Sequence, residues 1–415
     1  MIADTTDTSS ATGTFDPQER RLVGLLATCS FLAFVNFAAL APFLPDIAHD
    51  LQTSVPLVGQ ITTALTLLSA GLGLAIGPLA DQRGHRTLIV LGIAAVALNL
   101  AGMALAPTYA VLLPMAILAA IGDAILFGLP YAIVGEQFDG DLQRRAVAWV
   151  SGGLSLGIVA APTVMALIGN AIGWRGALLV AAGLTLLTLV PALRWLPGDA
   201  GHDAVRLTPR SLLGAYRPLI HSRSMLLLYG ASGLRAAGVI GAFSYFGAFI
   251  ADRFQVGSGL VGLSYLGVGL GVLAGDVISA TTTIRAPLRL LTAVTAVVGC
   301  VLQGVAFALP LPLPTTIALT AAAAVMVSVS YIALTTMMTR ETPAGSGTTM
   351  VLNGSVINLG TAIGAAIGGL FIVIGGYALL GLLVPMFVLC AAVLVLLIQP
   401  REAAMATEGE AALQP

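Results

Sequence analysis

Twelve runs of mostly apolar residues, each about 20 long, leave this chain few ways to fold. A run of roughly 20 apolar residues is the length a helix needs to cross the hydrocarbon core of a bilayer. Only structures that satisfy their backbone polar groups internally survive there. In the first half the runs lie near 20–44, 56–79, 87–106, 111–135, 146–170 and 175–195. In the second they lie near 225–250, 257–281, 287–309, 314–338, 347–374 and 377–398. Prolines fall between them, at Pro42 and Pro45, Pro107, Pro197, Pro310, Pro312 and Pro314. Only 9% of the residues are charged and mean hydropathy is +0.98. A soluble domain carries about a quarter charged residues, so this inventory could not build a water-facing surface. The 48 glycines suit close helix packing in lipid. The fold expected is all-α, with twelve transmembrane helices.

The runs set the domain organisation. Residues 1–19, rich in Thr, Ser and Asp, predict a disordered cytoplasmic tail. The run from Leu22 lacks a cleavage site and predicts a helix that stays in the membrane. Residues 20–196 and 225–399 form two six-helix halves, joined by a polar linker at 197–224 and followed by a second tail at 400–415. There is no lysine, so all 18 positive residues are arginine. With the N-terminus inside, fifteen of them face the cytoplasm, only Arg175 and Arg253 face outward, and Arg235 lies within a helix. Positive residues concentrate on the cytoplasmic side of membrane proteins. The expectation is therefore a multi-pass protein of a bacterial inner membrane with both termini cytoplasmic.

The halves resemble each other. A shift of 203 residues places Ala48, Gln52, Leu57, Val58 and Gly59 on Ala251, Gln255, Leu260, Val261 and Gly262. Five identities in a twelve-residue window point to duplication, with chance among common apolar residues as the alternative. Duplicated six-helix units form a recognised transporter plan, with the binding site near the midplane between them.

Between the second and third runs stands Gly77-Pro78-Leu79-Ala80-Asp81-Gln82-Arg83-Gly84-His85-Arg86. The first run ends in Ala41-Pro42-Phe43-Leu44-Pro45-Asp46-Ile47-Ala48, and Gly173-Trp174-Arg175 opens the sixth. Gly157 precedes Ala161-Pro162 in the fifth. On these motifs the chain resembles the major facilitator superfamily over residues 20 to 399, leaning toward its drug–proton and sugar-efflux antiporters. The decapeptide is similar to the family's GxLaDrxGrkk loop, the end of the first run to its ALPxIA ending, and Gly157 with Pro162 to a degraded form of its GxxxGP antiporter motif.

The resemblance implies two pseudo-symmetric six-helix bundles working by alternating access. It makes Gly77, Asp81, Arg83, Gly84 and Arg86 a cytoplasmic gating loop. Gly77 and Gly84 permit a tight turn. By resemblance Asp81 would meet the N-terminus of the eleventh helix, near Ser346 to Thr349, where a carboxylate satisfies free N–H groups and the positive end of the dipole. A solvated loop charge is the alternative. Gln82 and His85 replace arginines of the family pattern, which thins its charge relay.

Only Asp123 in the fourth run and Arg235 in the seventh lie near the middle of a span. A charge at the bilayer centre costs about 2.5–3.5 kcal/mol on insertion scales, so such residues generally face a cavity or a partner. By resemblance both fall on helices that line the central cavity. Proton coupling needs an acid whose surroundings change between states, and a cation close in one state and distant in the other supplies that change. Asp123 is the expected proton site, with Arg235 tuning it or binding an anionic group of the substrate. A permanent ion pair, or Asp123 bonded to backbone, is the alternative. Two coupling groups of the family are absent, since Asn36 and Leu118 stand at their positions.

Phe31, Phe34, Asn36, Phe127, Tyr131, Tyr229, Arg235, Phe243 and Tyr331 are the expected lining of the substrate cavity. An apolar or aromatic compound would suit them; packing between helices is the alternative for each. The formal net charge of −1 argues against nucleic acid. No histidine, cysteine or acid cluster predicts a metal or cofactor, and no HExxH-like helix predicts a membrane enzyme or receptor. The expected partners are the bilayer, a small-molecule substrate and protons, acting on a monomer. The expected activity is export of a small organic compound in exchange for protons, with a facilitator or importer of a sugar or other metabolite as the rival.

Overall fold

The computed structural model describes residues 15–196, 198, 216–285, 287–343 and 346–398. The expected tails and most of the linker therefore lie outside the described residues. Thirteen helices of seven residues or more follow in order. They are α1 (Pro17–Ala38), α2 (Leu44–Asp50), α3 (Val55–Arg83), α4 (His85–Leu105), α5 (Tyr109–Gln137), α6 (Gly140–Leu187) and α7 (Leu189–Trp195), then α8 (Arg223–Phe243), α9 (Phe246–Phe254), α10 (Ser258–Arg285), α11 (Leu288–Ala308), α12 (Leu313–Glu341) and α13 (Ser346–Leu396). A 3-10 turn over Ala41–Phe43 joins α1 to α2 as one span, and α8 with α9 makes its counterpart. Helices α6 and α13 each hold two spans, broken where Gly173 and Gly375–Gly376 leave helical geometry. The described helices thus make twelve spans in two six-helix bundles, the fold expected from the run lengths.

Local chemistry sets the ends. Asp16 caps α1, accepting hydrogen bonds from the Gln18 and Glu19 amides at 2.7 Å, while Glu19 reaches back to the Asp16 amide at 2.8 Å. Pro17 occupies the first turn, where its missing N–H costs nothing. The spans alternate in direction, so Pro17, Arg83, Gln137 and Arg223 mark one surface, the terminal face. Asp50, Leu105, Phe254 and Ala308 mark the opposite, far face.

The duplication is written in the geometry. Gly173 (φ 77°) and Gly376 (φ 66°) stand 203 positions apart, as do Gln52 (φ 48°) and Gln255 (φ 50°). The residues after the two glycines, Trp174 and Tyr377, hydrogen-bond to an acid at the end of each half's first span. Trp174 Nε1 donates to Asp50 at 2.8 Å and the Tyr377 hydroxyl donates to Asp252 at 2.7 Å. Arg175 donates to the carbonyls of Ala104 and Ala106, and Arg253 to those of Phe307 and Leu309, again 203 positions apart. These two arginines, the exceptions to the inside bias, satisfy the unpaired carbonyls that end α4 and α11. Their place at the far face has a structural reason.

The bundles meet along two seams, α3 against α13 and α6 against α10. Backbones come close there because small residues line them. Thr163 of α6 donates to the Gly262 carbonyl of α10 at 3.0 Å, and a side chain at Gly269 would overlap Val159.

Candidate functional site

Inside the first bundle Asp123 is 1% exposed, midway along α5, and both carboxylate oxygens lack a hydrogen-bond partner. Its neighbourhood is a polar seam among apolar helices. Asn99 of α4 donates to Asn36 of α1 at 2.9 Å, and Asn36 donates to the Ala119 carbonyl at 2.9 Å, one turn before Asp123. From the other side Ser69 of α3 lies beside the carboxylate but donates to the Ala120 carbonyl, at 3.3 Å. Polar side chains of the first three spans therefore gather against α5 about one turn before Asp123. None of these groups donates to the carboxylate.

Arg235 lies in the second bundle, on α8, and is 6% exposed. Its guanidinium sits over the Tyr331 ring of α12, 4.7 Å from the centroid, and its Nε has no partner. Thr292 and Ala296 of α11 and Ser330 and Leu334 of α12 line the small cleft around it. Asp123 and Arg235 are not brought together in this arrangement. Among the described residues the ion pairs are His49–Asp50 and His85–Glu136, both at helix ends.

The aromatic residues divide between packing and open surface. Phe34 is buried, its Cβ against Gly157 of α6, with its ring 5.7 Å from that of Phe37; Phe31 and Phe127 are half-buried. Phe243 packs edge-on against Tyr265 at 5.2 Å, near the far face. The Tyr229 hydroxyl donates to the Thr349 carbonyl at 3.3 Å. Tyr131 shares a 3.2 Å hydrogen bond with Ser151. Tyr331 stays 37% exposed although it lies well inside a span. Tyr131 and Tyr331, from opposite bundles, lie within electrostatic range of each other.

In the motif segments, Gly157 is where α6 crosses α1, and Pro162 sits inside α6 beside the Thr163 contact. Gly84 turns the chain between α3 and α4 at φ 85°, Arg83 is exposed, and Arg86 binds the Leu193 carbonyl. The side chains of Gly77, Asp81 and Ser346 lie outside the described residues.

Two features escaped the sequence. Asp276 lies nine residues inside the end of α10 and accepts a hydrogen bond from Ser328 of α12. It is a third charge within a span and the second acid. Tyr245 has no exposed surface; its hydroxyl donates to the Ala365 carbonyl at 2.8 Å, and its ring lies against Gly59 of α3 and Gly369 of α13. With α2, α3 and α9 it closes the far face between the bundles. Its conspicuous signal was the glycine it lies on, which belongs to the repeated segment.

The family pattern described as Major Facilitator Superfamily matches residues 26–302. The inner membrane transport protein YdhP of Escherichia coli K12 is 27% identical over 199 residues, 45% of this chain and 50% of that protein, so the chain matches half the length of this relative. A chloramphenicol resistance protein of Streptomyces lividans is 25% identical over 255 residues, 61% of this chain and 64% of its own. A bacterial homologue of the human lysosomal transporter Spinster, crystallised in an inward-facing and occupied conformation, superposes with a TM-score of 0.75. It is 18% identical, over 92% of this chain and 97% of the other.

Proposed function

The chain belongs to the Major Facilitator Superfamily, a family of transporters rather than enzymes, and on that premise we propose that it exports a small apolar or aromatic organic compound in exchange for protons. The observation that carries the reading is Asp123: a carboxylate 1% exposed, with neither oxygen bonded, in a span of the first bundle. A proton can bind there without displacing another partner. Release then requires the reverse arrangement of the bundles, in which water reaches the first bundle's interior. The resistance protein of Streptomyces lividans gives the outward direction its support.

The arginine distribution supports a cytoplasmic terminal face and an outward far face. The described arrangement is then closed to the outside through Tyr245 and its neighbours. Arg235 on the second bundle, away from Asp123, acts on the substrate rather than as a permanent counter-ion. Asp81 and the loop around it form the cytoplasmic latch.

Flux across inverted vesicles under an imposed pH gradient tests the coupling. Asp123→Asn, which keeps the shape and cannot titrate, is expected to abolish accumulation driven by the gradient and to leave exchange of bound substrate intact. Unchanged concentrative transport in that variant would remove Asp123 from the mechanism. Flux indifferent to the gradient in the unaltered protein would favour the facilitator.

A further inference from the structure

We propose that Arg235 binds a carboxylate of the transported compound, so that the substrate is a small aromatic organic anion. The proposal rests on the reading of the chain as a transporter of small organic compounds and is independent of the ion that drives it.

The case begins with charge balance. A guanidinium keeps its charge and its five N–H donors in any protein setting. Arg235 is 6% exposed, yet no carboxylate of the described residues pairs with it. The other charges inside the described spans lie elsewhere. Asp123 lies in the opposite bundle beside Ser69, and Asp276 is bound to Ser328. Nor do the neighbouring hydroxyls compensate. Thr292 and Ser330 donate to the Leu288 and Thr292 carbonyls, and although their lone pairs stay open to a donor, Arg235 Nε has no hydrogen-bond partner among the described residues. What remains is the face of Tyr331, 4.7 Å away. Stacking on a ring is weak compensation for a desolvated cation, and a buried charge without a counter-charge is costly. An arginine kept in this position is matched to an anion supplied from outside the chain.

The same surroundings say what else the anion carries. Tyr331 is 37% exposed beside the guanidinium, and Tyr131 of the first bundle lies within electrostatic range of it. A carboxylate on the guanidinium would leave the rest of the molecule beside the Tyr331 ring, toward Tyr131 of the other bundle. A flat apolar body fits there, and a polyhydroxylated sugar would leave its hydroxyls unmatched. Because the rings belong to different bundles, such a molecule would also report their relative position.

Thermal unfolding of the purified full-length protein in detergent tests this, with benzoate, phenylacetate and salicylate as probes and benzamide, benzylamine, chloride and sulfate as controls. The carboxylates are expected to raise the midpoint of unfolding in a saturable way, with benzamide and benzylamine inert. Arg235→Gln should weaken the apparent affinity roughly tenfold or more, the scale of losing hydrogen bonds to a charged group. Arg235→Lys should weaken it less. Should Arg235→Gln not purify as a monodisperse protein, Tyr331→Leu serves in its place and should also weaken carboxylate binding, while Tyr331→Phe keeps it. Equal stabilisation of Arg235→Gln and the unaltered protein overturns the proposal, as does stabilisation by chloride or sulfate alone. No response to any carboxylate also overturns it. Export of the cation ethidium by vesicles that ignore all three carboxylates would sink the anion while leaving the transporter reading standing.

Discussion

Tyr245 shows how a single side chain closes one end of this molecule. It projects from the break between α8 and α9, has no exposed surface, and reaches the Ala365 carbonyl of α13 at 2.8 Å. Its ring has room only because Gly59 and Gly369 carry no side chains, and a Cβ on Gly59 would stand 2.6 Å from the ring carbon Cζ. Two substitutions separate the contributions. Tyr245→Phe removes one buried hydrogen bond and is expected to cost about 1 kcal/mol. Gly59→Val places atoms where the ring lies and is expected to cost about 1–3 kcal/mol, the range for overpacking. Midpoints of thermal unfolding should therefore fall in the order unaltered, Tyr245→Phe, Gly59→Val. A Gly59→Val protein as stable as the unaltered one would mean that the ring does not occupy this place. The charged pair Asp123 and Arg235 was legible in the sequence because a charge inside an apolar run is conspicuous. Their surroundings were not. In helices apolar all round, periodicity does not reveal which face a residue turns inward. Hence Asn36, expected to line the cavity, is occupied in joining α1 to α4 and α5.

At the scale of elements, run length was the most informative signal, and glycine explains its one ambiguity. Helices α6 and α13 run through 48 and 51 residues without a loop, yet each turns sharply at Gly173 or Gly376. Both glycines combine positive φ with ψ near ±165°, 163° for Gly173 and −167° for Gly376. That region is essentially reserved for glycine and costs other residues about 1–3 kcal/mol. Nothing lies within 4 Å of a Cβ built at either position, so steric overlap contributes nothing to that cost. Gly173→Ala and Gly376→Ala are each expected to destabilise the protein by about 1–3 kcal/mol, and by similar amounts, since the two sites are equivalent. Denaturant titrations in mild detergent measure this; a neutral effect at both would contradict the backbone geometry. Gly173-Trp174-Arg175 was readable as a motif, and Gly376-Tyr377 as its distant copy was not. The arginine that caps the third helix comes from the sixth span in the first bundle, as Arg175, and from the end of the first span in the second, as Arg253. The function persisted while the residue moved, which hides the repeat from comparison position by position.

For the molecule as a whole, the consequence of two bundles sharing no covalent link except the segment between α7 and α8 is that they can rock against each other. Near the far face α3 meets α13 at Pro56, Gln60 and Gly369, and α6 meets α10 at Thr163 and Gly262. A Cβ at Gly369 would lie 3.6 Å from Cβ of Pro56. Disulfides span Cβ separations of about 3.5–4.5 Å, so cysteines at 56 and 369 are within bridging distance, with the Tyr245 hydroxyl and the Gln60 amide, 2.7 and 2.9 Å from the new Cβ, giving way to it. With Cys29, Cys300 and Cys390 replaced by serine or alanine, oxidation of Pro56→Cys/Gly369→Cys is expected to fix the bundles together at the far face. If transport requires that face to open, substrate flux should fall to background on oxidation and return on reduction. Each single-cysteine protein should be indifferent to both treatments. Full activity with the bridge demonstrably formed would mean that the far face need not open, and alternating access could not then be the way this protein moves its substrate. The bridge also orders the other questions. In a protein locked closed at the far face, carboxylate probes reaching Arg235 must enter from the terminal face, so binding that survives oxidation while flux does not would separate the site from the gate.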